Sequence, residues 1–360
     1  MGAKKELHLM AQQGKERCSN LELLRIIAMV LVLVVHASFK ALDAPSTEEV
    51  IAKPLSSFLR FFSESISIIC VNIFILITGW FGIHPKAVRF CSFIFQVQFI
   101  GLMVYLVLII LGITEKRSIS DWLSILLCRK ELWFVGAYMV LYILSPILNA
   151  FTETVSRNTF KNVLISFFTI QTILGFNNHE SFFVGGYTPL SFAGLYLLAR
   201  YIKIYPNRFS VFNKLYDMGI YLFTALFTTL VSMSLVGIGK NGWILYPYLS
   251  PLVIVGSVYF FLFFTKLSFH SKFINWIASS AFAVYLLHCD PLFLEPYFLT
   301  LIRAWYIDYS ILGFLFYTSI LIISVFCLAI FVDKIRILLW EQVYFVYENF
   351  INKEKCLKSE

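Results

Sequence analysis

The segment SNLELLRIIAMVLVLVVHASF, residues 19–39, is apolar except for a few groups that can ionise, chiefly Glu22, Arg25 and His36. Arg25 and His36 are eleven residues apart. In a helix that spacing puts both on one face, about 16 Å apart along the axis. Ionisable groups inside a membrane span normally face a protein interior and mark a pathway. Because imidazole takes and returns a proton near neutral pH, the segment predicts acid–base chemistry along this face.

Each polar group also has a structural interpretation. Arg25 can extend toward lipid headgroups and pair with Glu22, three residues earlier, and His36 can simply hydrogen-bond to a neighbouring helix. Both interpretations stay open for each residue alone. The shared face favours a functional stripe.

The cysteines predict no metal or disulfide chemistry. Seven cysteines are scattered through the chain, mostly in apolar runs, with no Cys-x-x-Cys pair and no cluster with histidine. This pattern is typical of apolar packing and disfavours both a disulfide framework and a zinc site. We therefore expect no metal.

The elements that must position these groups are membrane helices. Hydrophobic residues make up 59% of the 360, charged residues 14%, and the mean hydropathy is +0.79, whereas a soluble domain carries about 25% charged residues. Apolar runs of about twenty residues are long enough to span a bilayer. They predict an all-α, polytopic membrane bundle of ten helices, at roughly 21–40, 63–82, 90–112, 132–150, 162–178, 187–202, 215–237, 244–265, 274–290 and 309–332.

The distribution of positive charge predicts the orientation. With the N-terminus inside, most of the 29 Lys and Arg residues fall on the cytoplasmic side, as the positive-inside rule requires. Both termini are then cytoplasmic, and the net charge of +8 reflects topology and anionic lipid rather than nucleic acid. The expected organisation is a tail (1–18), a membrane domain (19–332), and an interfacial helix with a basic tail (333–360); a second surface helix is expected at 118–132.

Several segments resemble one known family. Residues 19–39 are similar to the opening helix of the acyltransferase-3 family of bacterial integral membrane O-acyltransferases, which carries an Arg and a His at about this spacing. VNIFILITGWF (71–81), LWFVGAYMVLYILSPILN (132–149) and INWIASSAFAVYLLH (274–288) resemble further family segments, in order, so that the similarity spans roughly residues 18–332.

The resemblance implies an activity. The family moves an acyl group, usually acetyl, from cytoplasmic acyl-CoA to a hydroxyl of a cell-surface glycan or its lipid-linked precursor, in the bacterial cytoplasmic membrane. His36 would act as the general base on the acceptor hydroxyl, and Arg25 would hold the CoA or orient a carboxylate. Lys86 and Arg89, in GIHPKAVRF (82–90), would contact the CoA phosphates, although the family commonly has two arginines separated by one residue here.

The expected acceptor-binding residues are polar or aromatic groups on the predicted outer side. They are Glu64, Trp133, Tyr138, His288 and Asp290, with His179 and Glu180 as further candidates. The alternative function is a transporter or binding module for a small metabolite, in which the polar stripe lines a pathway without acyl transfer.

Overall fold

The computed structural model describes residues 18–113, 132–177, 182–206 and 211–357, and within these ranges the chain is helical and contains no β-strand. The predicted surface helix at 118–132 falls almost wholly outside the described residues, as do His179 and Glu180. The described α-helices are α1 (Ser19–Ala37), α2 (Phe39–Leu42), α3 (Thr47–Ala52), α4 (Pro54–Ser67), α5 (Cys70–Phe81), α6 (Ala87–Ile110), α7 (Trp133–Thr154), α8 (Arg157–Asn177), α9 (Pro189–Ile204), α10 (Lys214–Gly237), α11 (Pro251–Thr265), α12 (Lys272–Ala278), α13 (Ala281–His288), α14 (Thr300–Asp308) and α15 (Ile311–Leu357).

Six helical stretches in the described ranges are long and apolar enough to cross a membrane. They are Ser19–Leu42, Pro54–Phe81, Ala87–Ile110, Trp133–Thr154, Lys214–Gly237 and Ile311–Glu348, and α11 is a shorter apolar helix. The all-α class and the multi-pass character are thereby confirmed. The count of ten spans and the side on which each terminus lies stay predictions.

Helices α1, α5 and α13 form the centre of the bundle. Helix α1 packs against α4, α5, α12 and α13, while α13 also contacts α6 and α15. Seven of the eight residues of α13, AFAVYLLH, are buried. A helix that is apolar on every side is stable only when other helices surround it. The central position of α13 places its last residue, His288, beside the end of α1.

A glycine allows α5 to lie against α9. A Cβ atom at Gly79 would stand 2.5 Å from the backbone oxygen of Tyr196 and 2.9 Å from the Cβ of Ala199. Small residues at such crossings let two membrane helices approach closely. The contact fixes the position of α5, which carries one wall of the site described below.

The last helix differs from the prediction. The sequence predicted a span ending at 332 and a separate surface helix after it, but α15 continues without a break from Ile311 to Leu357. Asp333 is fully buried; it accepts hydrogen bonds from Gln96 of α6 at 2.8 Å and from Arg336 at 2.9 Å. Because the charge at 333 is neutralised inside the protein, the helix has no reason to end there.

Two arginines hold the chain where α1 ends. Arg60 of α4 donates to the carbonyl oxygens of Leu42 and Asp43, each at 2.7 Å. Arg303 of α14 donates to the carbonyl of Ala41 at 2.9 Å. These bonds satisfy carbonyl groups that no helix pairs, and they fix the end of α2, the short helix that follows α1 and His36.

Candidate functional site

One face of α1 lines two cavities. Arg25, Met29, Val32 and His36 follow one another at spacings of three or four residues, and each lines one of the two. These four residues therefore lie on one face of α1, as the spacing predicted. We name the spaces the His36 cavity, about 410 Å³, and the Arg25 cavity, about 300 Å³.

The His36 cavity is lined by residues of α1, α2, α4, α5, α7 and α13 and of connecting segments. Its wall is mainly aromatic and aliphatic, with a few polar groups. The lining residues are Met29, Val32, Val35, His36, Phe39, Lys40, Glu64, Ile68, Val71, Phe74, Trp133, Phe134, Tyr187, Trp243, Tyr248 and Tyr285. Lys40 is exposed, which places it where the cavity reaches the surface.

A second histidine fixes the proton position on His36. Nδ1 of His36 lies 2.5 Å from Nε2 of His288, and Nδ1 of His288 lies 3.2 Å from the carbonyl oxygen of Val284. A carbonyl oxygen only accepts, so Nδ1 of His288 carries a proton and, in the neutral ring, Nε2 does not. Nδ1 of His36 must then be the donor, which leaves the lone pair of His36 on Nε2.

Glu64 brings a carboxylate into the same cavity. Its side chain is fully buried, and Oε2 accepts a hydrogen bond from the backbone amide of Phe39 at 3.3 Å. Its other oxygen, Oε1, has no hydrogen-bond partner among the described residues. A buried polar atom without a partner is rare and points to a ligand or water that completes it. Glu64 thus offers an unused acceptor inside the His36 cavity.

Aromatic rings form the rest of the polar end of this cavity. Trp133 packs edge-on against Tyr187, with ring centroids 4.6 Å apart, and lies 6.2 Å from Tyr248. Trp243 lies 5.4 Å from Phe39. Tyr and Trp rings combine an apolar face with a polar edge, so this wall suits a ligand that has both, such as a sugar ring.

Cys289 joins the two histidines. Its Sγ lies 3.6 Å from Nε2 of His288 and 3.9 Å from Nδ1 of His36. One atom from each of these residues lies within 4.8 Å of the others, an arrangement able to hold a metal ion. The sequence predicted no metal because these residues lie in two distant segments, which the packing of α13 against α1 brings together.

The Arg25 cavity has a different character. It is lined by Arg25, Ile77, Thr78, Phe81, Gly82, Ile83, His84, Arg89, Phe90, Phe93, Tyr138, Met139 and Tyr142. Arg25 forms an ion pair with Glu22 at 2.6 Å, as its structural interpretation predicted, and still lines the cavity. Two guanidinium groups, Arg25 and Arg89, therefore face one space, which suits an anionic ligand.

The loop that closes this cavity is held by neighbouring helices. The hydroxyl of Tyr196 accepts from the amide of Ile83 at 3.0 Å and donates to Asn149 Oδ1 at 2.6 Å. Asn149 in turn donates to the carbonyl of Ile83 at 2.8 Å. The Tyr142 hydroxyl accepts from the amide of Lys86 at 2.8 Å. The loop is thus positioned by side chains of α7 and α9.

The structure places Tyr138 and Trp133, two of the residues predicted to bind the acceptor, in different cavities. Tyr138 lines the Arg25 cavity, whereas Trp133 lines the His36 cavity. Five residues along a helix turn the side chain by about 140°, so these two cannot share a face. Phe134, one turn before Tyr138, stacks on it at 6.0 Å between ring centroids. The stacked pair forms part of the partition between the two cavities.

Three further predicted residues lie off the cavity walls. His288 is fully buried behind His36. Asp290 is buried, and its Oδ1 accepts from the amide of Leu292 at 2.9 Å, which caps the turn after α13. Lys86 is exposed and precedes the first residue of α6 in extended conformation, and it is not among the residues that line the Arg25 cavity.

Several lining residues had no signal in the sequence. Tyr187, Trp243 and Tyr248 occupy or flank connecting segments, where no periodicity reports which way a side chain points. Lys40 lies in α2, at the end of the predicted first span. His84 lies in the loop before α6 and lines the Arg25 cavity. In the sequence, only the position of His84 between two predicted spans, near Lys86 and Arg89, indicated that it could lie at this site.

Comparison with known proteins agrees with the resemblance. The family model described as an acyltransferase domain, acyltransferase type 3, matches residues 19–333. Neither a curated protein nor a solved structure gives a significant match. The matched region contains α1, both cavities and the His36–His288 pair. The chain therefore belongs to the acyltransferase-3 family of membrane acyltransferases.

Proposed function

We propose that this chain is a membrane O-acyltransferase. It transfers an acetyl or other short acyl group from acyl-CoA to a hydroxyl of a cell-surface glycan or its lipid-linked precursor. The donor binds at the Arg25 cavity and the acceptor at the His36 cavity. The proposal rests chiefly on the bond from His36 to His288, which leaves an unprotonated Nε2 on the ring that lines the larger cavity.

The acid–base step follows from this tautomer. A sugar hydroxyl gives its proton to Nε2 of His36 as its oxygen attacks the thioester carbon. The imidazolium that forms keeps its Nδ1–H bond to His288, which shares the developing charge and holds the ring in place. When the tetrahedral intermediate collapses, the same Nε2 proton passes to the departing CoA thiolate. His288 is a positioning residue in this scheme, and His36 is the catalytic residue.

The donor end is supported by charge. Arg25 and Arg89 line one cavity, and guanidinium groups bind phosphate through paired hydrogen bonds. Arg25 and His36 are about 16 Å apart along α1, a distance that the extended pantetheine arm of CoA is long enough to cross. The thioester reaches His36 only if the partition containing Phe134 and Tyr138 yields to that arm.

The acceptor end is supported by shape and polarity. Oε1 of Glu64, which has no partner in the described ranges, accepts a hydrogen bond from a second sugar hydroxyl and so orients the ring. Trp133 and Trp243 offer faces or edges against which a sugar packs. A saccharide fits this combination better than a purely apolar alcohol, which would leave the Glu64 carboxylate unsatisfied.

The membrane arrangement belongs to the same proposal. The chain has ten spans, both termini in the cytoplasm, and the Arg25 cavity toward the cytoplasmic side of a bacterial inner membrane. Acyl-CoA then enters from the side where it is made, and the acceptor hydroxyl arrives from the other. The basic net charge favours contact with anionic lipid headgroups, and the protein binds no nucleic acid.

Purified protein with radiolabelled acetyl-CoA tests the proposal. We expect thioester cleavage by wild-type protein, faster when saccharides are supplied, with label recovered on the sugar. His36→Ala should lose this activity while eluting as a folded protein of the same size. A transporter or binding module would leave the thioester intact, and an active His36→Ala protein would remove His36 as the base.

A further inference from the structure

We propose that His36, His288 and Cys289 form a zinc site whose occupation switches off the base on His36. The site offers two imidazole nitrogens and one thiol. This set of ligands suits Zn²⁺, which binds nitrogen and sulfur in tetrahedral geometry. The inhibitory consequence rests on the proposed function, whereas the binding itself does not.

One edge of the site already has the length expected for a tetrahedral ion, and a second is about 0.3 Å too long. Zn–N bonds of about 2.0–2.1 Å and Zn–S bonds of about 2.3 Å put neighbouring ligand atoms roughly 3.3–3.6 Å apart. Cys289 Sγ lies 3.6 Å from His288 Nε2 and 3.9 Å from His36 Nδ1. Only the nitrogen–nitrogen edge, at 2.5 Å, must open, by a little under about 1 Å.

His288 already has the outer partner that zinc-bound histidines have. Its Nδ1–H donates to the carbonyl of Val284 at 3.2 Å, which fixes Nε2 as the free lone pair. Histidine ligands of zinc almost always donate the other ring N–H to a carboxylate or a backbone carbonyl. His36 lines the cavity, whereas His288 and Cys289 are buried behind it, so an ion would reach the three ligand atoms by passing the His36 ring.

Zinc bound to His36 would prevent the same ring from acting as a general base. When Zn²⁺ binds Nδ1 of His36, the ring proton moves from Nδ1 to Nε2, since a neutral imidazole keeps one N–H. The Cys289 S–H bond breaks as the Zn–S bond forms, and its proton leaves to solvent. The ion thereby places a proton on the nitrogen that must accept one. One Zn²⁺ binds and one proton is released.

Cobalt provides a readout that is independent of acyl transfer. Full-length protein, stripped with chelator and held in lipid nanodiscs, is titrated with Co²⁺, whose thiolate complexes absorb in the near ultraviolet. We expect one thiolate-bound Co²⁺ per chain at this site. The band should vanish in Cys289→Ser and Cys289→Ala and persist in Cys70→Ser, which removes another buried cysteine.

Inhibition is then measured with Zn²⁺ on the same proteins. Cys289→Ser should keep the basal rate of acetyl-CoA cleavage and require more than about tenfold higher Zn²⁺ for half-inhibition, because even outer partners of a zinc ligand are worth 10–100-fold in affinity. Cys70→Ser should remain as sensitive as wild type. Equal sensitivity in Cys289→Ser, a cobalt–thiolate band that survives its loss, or no band in wild type would each overturn the zinc site. Absence of acetyl-CoA cleavage without added metal would instead count against the proposed function.

Discussion

The two cavities differ in how their polar groups are held. In the His36 cavity, His36 is held by His288, and one oxygen of Glu64 has no partner within the part of the chain that the structure describes. In the Arg25 cavity, the cationic groups are Arg25, paired with Glu22, and Arg89 at the start of α6, beside a loop fixed by hydrogen bonds to its backbone. The first arrangement controls the position of a proton, and the second presents charge to a ligand.

This difference separates the two halves of an acyl transfer. Proton transfer needs a base with a fixed tautomer inside a space shielded from bulk water. Donor binding needs cations that can adjust to a flexible phosphate chain. Helix α1 joins the halves because Arg25 and His36 occupy opposite ends of one stripe. Variants in each cavity should therefore alter different kinetic constants.

Removing the base should have the largest effect. His36→Ala is expected to lower kcat for acyl transfer by about 10²–10⁴-fold, the usual contribution of a general base, with little change in KM for acyl-CoA. His270→Ala, at an exposed position before α12, is the control and should match wild type. Steady-state rates with labelled acetyl-CoA measure both. An equal loss in the two variants, or an unchanged rate in His36→Ala, would contradict the division of roles.

Neutralising the carboxylate should have the next largest effect, on the acceptor side alone. Glu64→Gln keeps an oxygen for the amide of Phe39 and nearly the same volume. It should lower kcat/KM for the best saccharide of a panel by about 10- to 100-fold, because a hydrogen bond to a charged group contributes about 1.5–3 kcal/mol. KM for acyl-CoA should not move. Glu153→Gln, at an exposed site in α7, should change neither constant.

On the donor side, substituting a basic residue should weaken acyl-CoA binding only if that residue lines the Arg25 cavity. Arg89→Met is expected to raise KM for acyl-CoA about tenfold, the size of a lost charged hydrogen bond. Lys86→Met, three residues away and off the cavity wall, should change it less than about twofold, as is usual for an exposed charge. The comparison is made by acyl-CoA titration at saturating acceptor. Equal effects would show that general positive charge, rather than the Arg25 cavity, binds the donor.

The aromatic wall should give the smallest effect. Trp243→Ala is expected to raise KM for the saccharide by about two- to tenfold, in line with about 0.5–1.5 kcal/mol for one ring contact. Trp276→Ala, whose ring is half exposed beside Lys334 on the outside of the bundle, is the matched control. A change in KM for acyl-CoA in Trp243→Ala would show that the donor binds in the His36 cavity, which would contradict the proposed division.

Helical periodicity explains what could be predicted from the sequence. The stripe from Arg25 to His36 depends only on positions within one continuous helix, so spacing alone located it. Trp133 and Glu64 were found as polar or aromatic groups near span ends. The family resemblance supplied Arg89 and pointed to the segment ending in His288.

Tertiary packing explains what could not be predicted. The bond between His36 and His288 joins residues 252 positions apart, and no local pattern reports that contact. Tyr138 was grouped with Trp133 because both lie in one predicted span, although five residues of helix turn their side chains to different faces of α7. The continuation of α15 beyond 332 depends on the burial of Asp333, which Arg336 neutralises and Gln96 of another helix hydrogen-bonds. Trp243 lies in a connecting segment without periodicity.

The central claim is that an acyl donor bound at the Arg25 cavity presents its reactive carbon to His36. Labelling by bromoacetyl-CoA tests this most directly, because the CoA portion directs an electrophile to whatever nucleophile lies at the acyl position. We expect peptide mass spectrometry to find His36 alkylated, at a rate lowered about tenfold in Arg89→Met and suppressed by excess CoA. Modification confined to other residues, with His36 untouched at saturating reagent, would contradict the claim.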